Sequence, residues 1–143
     1  MTVLITGASA GFGEAMCRTF VRAGFRVVGA ARRMDKLQGL RDELGGSFYP
    51  LELDLTDRPS VAAALASLPP PFDEIDCLIN NGGLALGLDA ADRADFADWE
   101  TMIETNVLGL AYLTRLVLPQ MTARRDGYII NIGSIAGTYP YPG

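Results

Sequence analysis

The 143-residue chain predicts an α/β domain built on a doubly wound parallel sheet. Three observations carry that reading. Five short apolar runs alternate with longer stretches whose apolar residues recur at helical spacing. Continuous apolar runs of strand length, rather than runs of alternating polarity, suit strands covered on both faces. The polar and Gly-rich clusters fall where those runs end: Gly7–Gly13, Arg32-Arg33, Asp54, Asn80–Gly83 and Gly133-Ser134. In such sheets ligands bind outside the carboxyl ends of the strands.

The elements follow in order. Thr2–Ile5 reads as the first strand, stopped by Gly7, and Glu14–Ala23 as the first helix, with Ala15, Met16, Phe20 and Val21 at helical spacing and Gly24 closing it. Arg26–Ala31 is the second strand. Met34–Leu44 repeats Leu37, Leu40 and Leu44 as an amphipathic helix ended by Gly45-Gly46. Phe48–Leu53 is the third strand. Thr56 or Asp57 caps a helix through Val61–Leu68, which Pro69-Pro70-Pro71 ends. Ile75–Ile79 is the fourth strand. Residues 84–98 show no clear period. Asp98 is expected to cap a long helix from Trp99 to about Thr122, and Tyr128–Ile132 is the fifth strand. Right-handed crossovers give the strand order 3-2-1-4-5. No linker, repeat or charge block divides the chain, so one domain is expected.

Composition narrows the function. Half the residues (49%) are apolar and 20% are charged, an ordinary globular balance that excludes disorder. With 12 basic and 17 acidic residues the net charge is -5, which argues against a nucleic-acid partner. There is no histidine, which rules out Ser-His-Asp and Cys-His catalysis and any His-ligated metal. Cys17 and Cys77 are too few for a disulfide scaffold or a thiolate zinc site, and read as core residues in a reducing compartment. The N-terminus lacks the pattern of a secretory leader, and no apolar run is long enough to span a bilayer, so a cytoplasmic protein without membrane contact is expected.

The segment Thr6-Gly7-Ala8-Ser9-Ala10-Gly11-Phe12-Gly13 joins the first strand to the first helix. A Gly-rich turn there lets backbone N–H groups approach a pyrophosphate, and the helix N-terminus adds its positive dipole end. The spacing is G-x3-G-x-G, and no Lys follows the last Gly, so it is not a P-loop. Gly7, Ser9, Gly11, Phe12 and Gly13 are the candidate phosphate-loop residues. An NAD site usually places Asp or Glu at the end of strand two to hold the ribose 2′-OH. Here that place reads Ala30-Ala31-Arg32-Arg33. Two guanidinium groups suit a 2′-phosphate and leave an NAD ribose without an acceptor, so NADP is the expected cofactor. Solvated arginines near a helix start are the plain alternative, but cations are disfavoured at a helix N-terminus. Ser9 can add a hydroxyl to the same phosphate.

Asp54, ending strand three, reads either as an acceptor for the adenine amino group or as a turn aspartate. Asn80-Asn81-Gly82-Gly83 ends strand four, where amides can bond backbone and ribose together, or simply form a turn. Asn106 lies among Trp99, Met102, Ile103, Val107 and Leu110 at 3/4 spacing. An amide in such a stripe needs partners; it is either a satisfied core Asn or the holder of a water or carbonyl for proton transfer. Ser134 follows the fifth strand. Without a histidine it is no activated nucleophile and is cast as a substrate orienter.

Together these residues resemble the short-chain dehydrogenase/reductase family: T-G-A-S-A-G-F-G at 6–13, D-L at 54–55, N-N-G-G at 80–83, N-V at 106–107 and I-N-I-G-S at 130–134. The resemblance spans the chain and implies a Rossmann-type sheet. It implies that Gly7, Gly11 and Gly13 line the dinucleotide and that Arg32 and Arg33 take the 2′-phosphate. Asp54 then contacts adenine and Asn81 lies by the ribose, while Asn106 is the relay asparagine and Ser134 orients substrate. The segments G-F-G-E, N-N-G-G-L-A-L-G, D-W-E-T-M-I-E-T-N and I-N-I-G-S-I-A-G look most like bacterial NADP-dependent 3-hydroxy acid dehydrogenases, including serine and allo-threonine dehydrogenases. That likeness implies a small 3-hydroxy acid substrate and a homo-oligomer, usually a tetramer. Leu108, Tyr112 and Leu116 would supply a second apolar helix face for it, unless they pack within the monomer.

Two departures from the family pattern stand out. Gly82 replaces the Ala of N-N-A-G. The catalytic Tyr-x-x-x-Lys pair, about a dozen residues past the serine in the family, has no counterpart: Tyr139 and Tyr141 lack a lysine four residues on, and Lys36 is the only lysine. A phenol beside an ammonium is what passes the proton in that chemistry. The expectation is a sheet truncated after strand five, the N-terminal part of a longer single-domain enzyme, inactive by itself. The rival reading is a non-catalytic NADP-binding or sensing module. A methyltransferase of similar fold would leave Arg32, Arg33 and the Ser134 region without a role.

Overall fold

The computed structural model describes residues 1–139; Tyr141 and Gly143 lie outside the described residues. Five parallel strands form one sheet: β1 (Thr2–Thr6), β2 (Arg26–Ala31), β3 (Phe48–Glu52), β4 (Cys77–Asn80) and β5 (Tyr128–Asn131). Their order is β3-β2-β1-β4-β5, as the crossover rule requires. Helices α1 (Gly11–Arg22), α2 (Met34–Leu44) and α3 (Arg58–Ala66) connect the first four strands. Between β4 and β5 run α4 (Phe96–Ile103), a π-helical stretch (Glu104–Gly109) and α5 (Leu110–Arg124).

β1 is central and buried at every position. Side chains alternate across a strand, and they sort into two cores. Val3, Ile5, Val27, Phe48, Cys77 and Ile79 pack with Cys17, Leu37 and Leu40 of α1 and α2. Leu4, Val28, Ala30, Leu51 and Leu78 pack on the other face with Val61, Leu113 and Val117 of α3 and α5. Gly29 faces the Phe48 ring, whose Cε2 would lie 2.5 Å from any Cβ placed there. Both cysteines are buried, and burial pushes the Cys17 thiol up to about 12. A thiol so protonated packs as a small apolar group.

The structure changes two local expectations and decides between two pairs of alternatives. The helix after β4 is capped by Asp95, whose Oδ1 accepts from Ala97 N at 3.0 Å; Asp98 sits in the first turn, where the helix dipole favours a carboxylate. The stripe containing Asn106 is not a core stripe: Trp99, Ile103 and Val107 are exposed. The π-helical turn at 104–109 breaks the 3.6-residue register on which that stripe was read. Tyr112 and Leu116 instead pack against the monomer's own core, leaving Leu108 exposed. Asp57, rather than Thr56, caps α3, accepting from Ser60 N at 3.1 Å.

Candidate nucleotide-binding site

A cavity of about 360 Å³ opens above the carboxyl ends of β1, β2, β3 and β4. Its walls include Gly7, Ser9, Arg32, Arg33, Asp54 and Asn81. Residues from four separate stretches of sequence therefore meet at one edge of the sheet. The topology explains this: the chain runs outward from β1 toward β3, then returns to β4 on the other side of β1. The crevice forms where the direction reverses.

The Gly-rich turn has three distinct glycine requirements. Gly7 has φ +67° and is overlain by Asn81 Nδ2 and Gly82 Cα, each 2.9 Å from an added Cβ. Gly13 is buried against the Gly7 carbonyl, and a Cβ there would also lie 2.7 Å from Asn81 Nδ2. Gly11 has φ +56° and nothing within 4 Å. So Gly7 and Gly13 let α1 close onto the β4 turn, while Gly11 leaves open space at the helix N-terminus. No side chain caps α1 at Ala10. Its first N–H groups, with Gly11 and the exposed Phe12 beside them, are available to an anion.

Thr6 holds the turn from beneath. This buried hydroxyl donates to Ile79 O at 3.4 Å and accepts from Asn81 N at 3.0 Å and Gly82 N at 2.7 Å. Asn81 Nδ2 donates to Thr6 O at 2.9 Å, so the Asn81 side chain stitches β4 to β1 while the residue also lines the cavity. Next to it, Asn80 is 3% exposed and its Nδ2 donates to Thr114 Oγ1 at 3.0 Å and Asn131 Oδ1 at 2.9 Å. That amide ties β4 to α5 and to β5. Thr6, Thr114 and Asn131 escape a reading by sequence because each partner is remote along the chain.

At the β2 end, Arg32 and Arg33 are exposed, and among the described residues neither forms a salt bridge. Arg33 Nε and Nη2 donate to Ser9 Oγ at 3.2 and 3.0 Å. At the β3 end, Asp54 Oδ1 accepts from Thr56 N at 3.0 Å and Thr56 Oγ1 at 2.8 Å, an Asx turn. Partial burial works against its charge, but the two Thr56 hydrogen bonds and the nearby Arg32 outweigh it and hold the carboxyl below its usual range.

Asn106 lies in the π-helical stretch, and each end of its amide makes one hydrogen bond to the Leu84 backbone. Oδ1 accepts from Leu84 N at 2.9 Å, and Nδ2 donates to Leu84 O at 2.7 Å. It thus grips the segment that follows Asn80–Gly83, and Leu84 and Thr105 both line the cavity. Ser134 stands outside that cavity, exposed beyond the end of β5. Its Oγ accepts from Ala136 N at 3.1 Å, opening a short 3₁₀ turn, Ile135–Gly137.

A parallel sheet with a Gly-rich β1–α1 turn, an uncapped helix N-terminus and an arginine pair at the β2 end defines a dinucleotide-fold protein of the Rossmann type. The short chain dehydrogenase family model matches residues 1–143, and the chain belongs to that family. It is 52% identical over 143 residues to NADP-dependent 3-hydroxy acid dehydrogenase YdfG of Escherichia coli K12, covering all of this chain and 58% of that protein. It is 44% identical over 142 residues to serine 3-dehydrogenase of Agrobacterium fabrum, covering 99% of this chain and 57% of that protein. Among solved structures, the closed form of a serine dehydrogenase complexed with NADP+ superimposes with a TM-score of 0.98 at 52% identity, over all of this chain and 58% of that one. The chain thus spans less than three fifths of the length of these relatives.

Proposed function

We propose that this chain forms the NADP-binding part of an oxidoreductase acting on the hydroxyl-bearing carbon of a small 3-hydroxy acid. The carrying observation is the arginine pair at the end of β2, unpaired with any carboxylate among the described residues and beside an uncapped helix N-terminus. An NAD site would place an acid there. The relatives' names, an NADP-dependent 3-hydroxy acid dehydrogenase and a serine 3-dehydrogenase, support the same reading.

The residues fit the group. In this reading the N–H groups around Gly11, Phe12 and Gly13 bind the pyrophosphate, and Gly11 leaves the space for it to approach. Arg32 and Arg33 bind the 2′-phosphate through charge-assisted hydrogen bonds. Asp54 and Asn81 border the adenosine half. When bound, NADP supplies or accepts the hydride. Ser134 orients the substrate oxygen by donating its hydroxyl proton, which its bond from Ala136 N leaves free. Asn106 fixes the Leu84 backbone through one bond at each end of its amide, and its second N–H and second lone pair remain for a water or carbonyl.

We also propose a cytoplasmic homo-oligomer, a tetramer, as the working form. The exposed Trp99, Ile103, Val107 and Leu108 along the α4–α5 run support an interface there. Among the described residues no helix is long and apolar enough to cross a membrane.

The test is cofactor discrimination in the whole protein. Arg33→Ala is expected to weaken NADPH binding by about 10- to 100-fold, the worth of hydrogen bonds to a charged group, and NADH binding hardly at all. Equal losses for both would remove the 2′-phosphate assignment. Ser134→Ala is expected to lower kcat by roughly 100-fold, as for loss of an oxyanion donor, with NADPH affinity intact; a loss of affinity at unchanged kcat would reassign the residue.

A further inference from the structure

We infer that Ser9 is a positioning residue that holds Arg33 in place before the cofactor arrives. The inference rests on the NADP reading above and names the device that makes it selective. Ser9 Oγ receives both Arg33 Nε–H and Nη2–H, at 3.2 and 3.0 Å, across 24 positions of sequence. Both residues line the cavity. Among the described residues no comparable anchor holds Arg32, which borders an adjoining hollow with Glu52 and Asp54 as well.

Three physical points favour positioning over direct contact. Arg33 is the N-cap of α2 and makes no capping bond, so its cation stands at the positive end of a helix dipole. A hydroxyl oxygen offsets that without neutralising the charge, whereas a carboxylate would compete with a phosphate for it. The bond also uses the Nε/Nη2 edge of the fork, leaving the Nη1/Nη2 end to grip a phosphate by two parallel bonds. Finally, arginine has large rotamer freedom to lose on binding. Holding the side chain in the free protein moves that loss from binding into folding.

The test is a double-mutant cycle in the whole protein, with NADPH and NADH dissociation constants measured by fluorescence titration. Ser9→Ala is expected to weaken NADPH binding about 3- to 10-fold, the scale of one ordinary hydrogen bond, and NADH binding less than twofold. In the Arg33→Ala background the same substitution should have no further effect, because nothing remains to be positioned. An equal loss in both backgrounds overturns the inference in favour of direct contact between Ser9 and the phosphate. No loss from Ser9→Ala, with Arg33→Ala still selective for NADPH, overturns it while leaving the NADP reading standing. An Arg33→Ala variant that weakens both cofactors alike fails that reading instead, whatever Ser9 does.

Discussion

Replacing Gly13 by alanine tests how α1 is seated on the sheet. In an open helix position, Gly→Ala stabilises by about 1 kcal/mol through backbone entropy. Gly39 is such a position: it lies within α2 with nothing within 4 Å of an added Cβ. At Gly13 the new methyl would enter the Gly7 carbonyl and lie 2.7 Å from Asn81 Nδ2. Carbon and oxygen ordinarily approach no closer than about 3.3 Å, so α1 or the turn must move by about an ångström. The obstacle is backbone, held in turn by Thr6 and Asn81, and an overlap this large falls at the upper end of the overpacking range, about 2–3 kcal/mol. Set against the helix gain, Gly13→Ala should destabilise by about 1–2 kcal/mol, while Gly39→Ala stabilises by about 0.5–1 kcal/mol. With a urea slope of about 1–3 kcal/mol/M, the two variants should differ by roughly 1 M in midpoint. Displacing the α1 N-terminus should also weaken NADPH and NADH binding together. A Gly13→Ala protein as stable as Gly39→Ala, with cofactor affinity unchanged, would refute the account of the turn.

Two further perturbations address the rest of the site. Asn80→Ala removes the buried amide that joins Thr114 and Asn131; it should cost about 1–3 kcal/mol, with β5 amides losing hydrogen-exchange protection first, and unchanged β5 protection would contradict the assigned role. Asp54 has a native pKa below its unfolded value, so it contributes stability above the unfolded pKa that is lost as pH falls through the native one. Asp54→Asn should therefore flatten the stability curve below about pH 4, and an identical acid limb in the two proteins would contradict the Thr56 hydrogen bonds.

The sheet and its order were legible from the chain because a parallel strand buried on both faces must be apolar at successive positions, and β1, β2 and β4 are. The glycines of the β1–α1 turn and the arginines ending β2 were legible for a similar local reason: their chemistry is tied to one place in a βαβ unit. The helix after β4 was read less well. Its cap moved from Asp98 to Asp95, and Trp99, Ile103 and Val107 of the stripe through Asn106 proved exposed: a helical period groups residues on one face without saying what covers that face, and the π-helical turn at 104–109 shifts the register beyond it.

What the amino-acid order determined is what depends on neighbours: which runs become strands, where turns need glycine, and which side chains end each strand. What only the folded molecule decided is who meets whom across the crevice. Ser9 with Arg33, Asn106 with the Leu84 backbone, and Asn80 with Thr114 and Asn131 are each brought together by the crossovers of the sheet. Hydrogen bonds depend on distance and direction in space, and no periodicity along the chain encodes a pairing between residues separated by one to three secondary-structure elements.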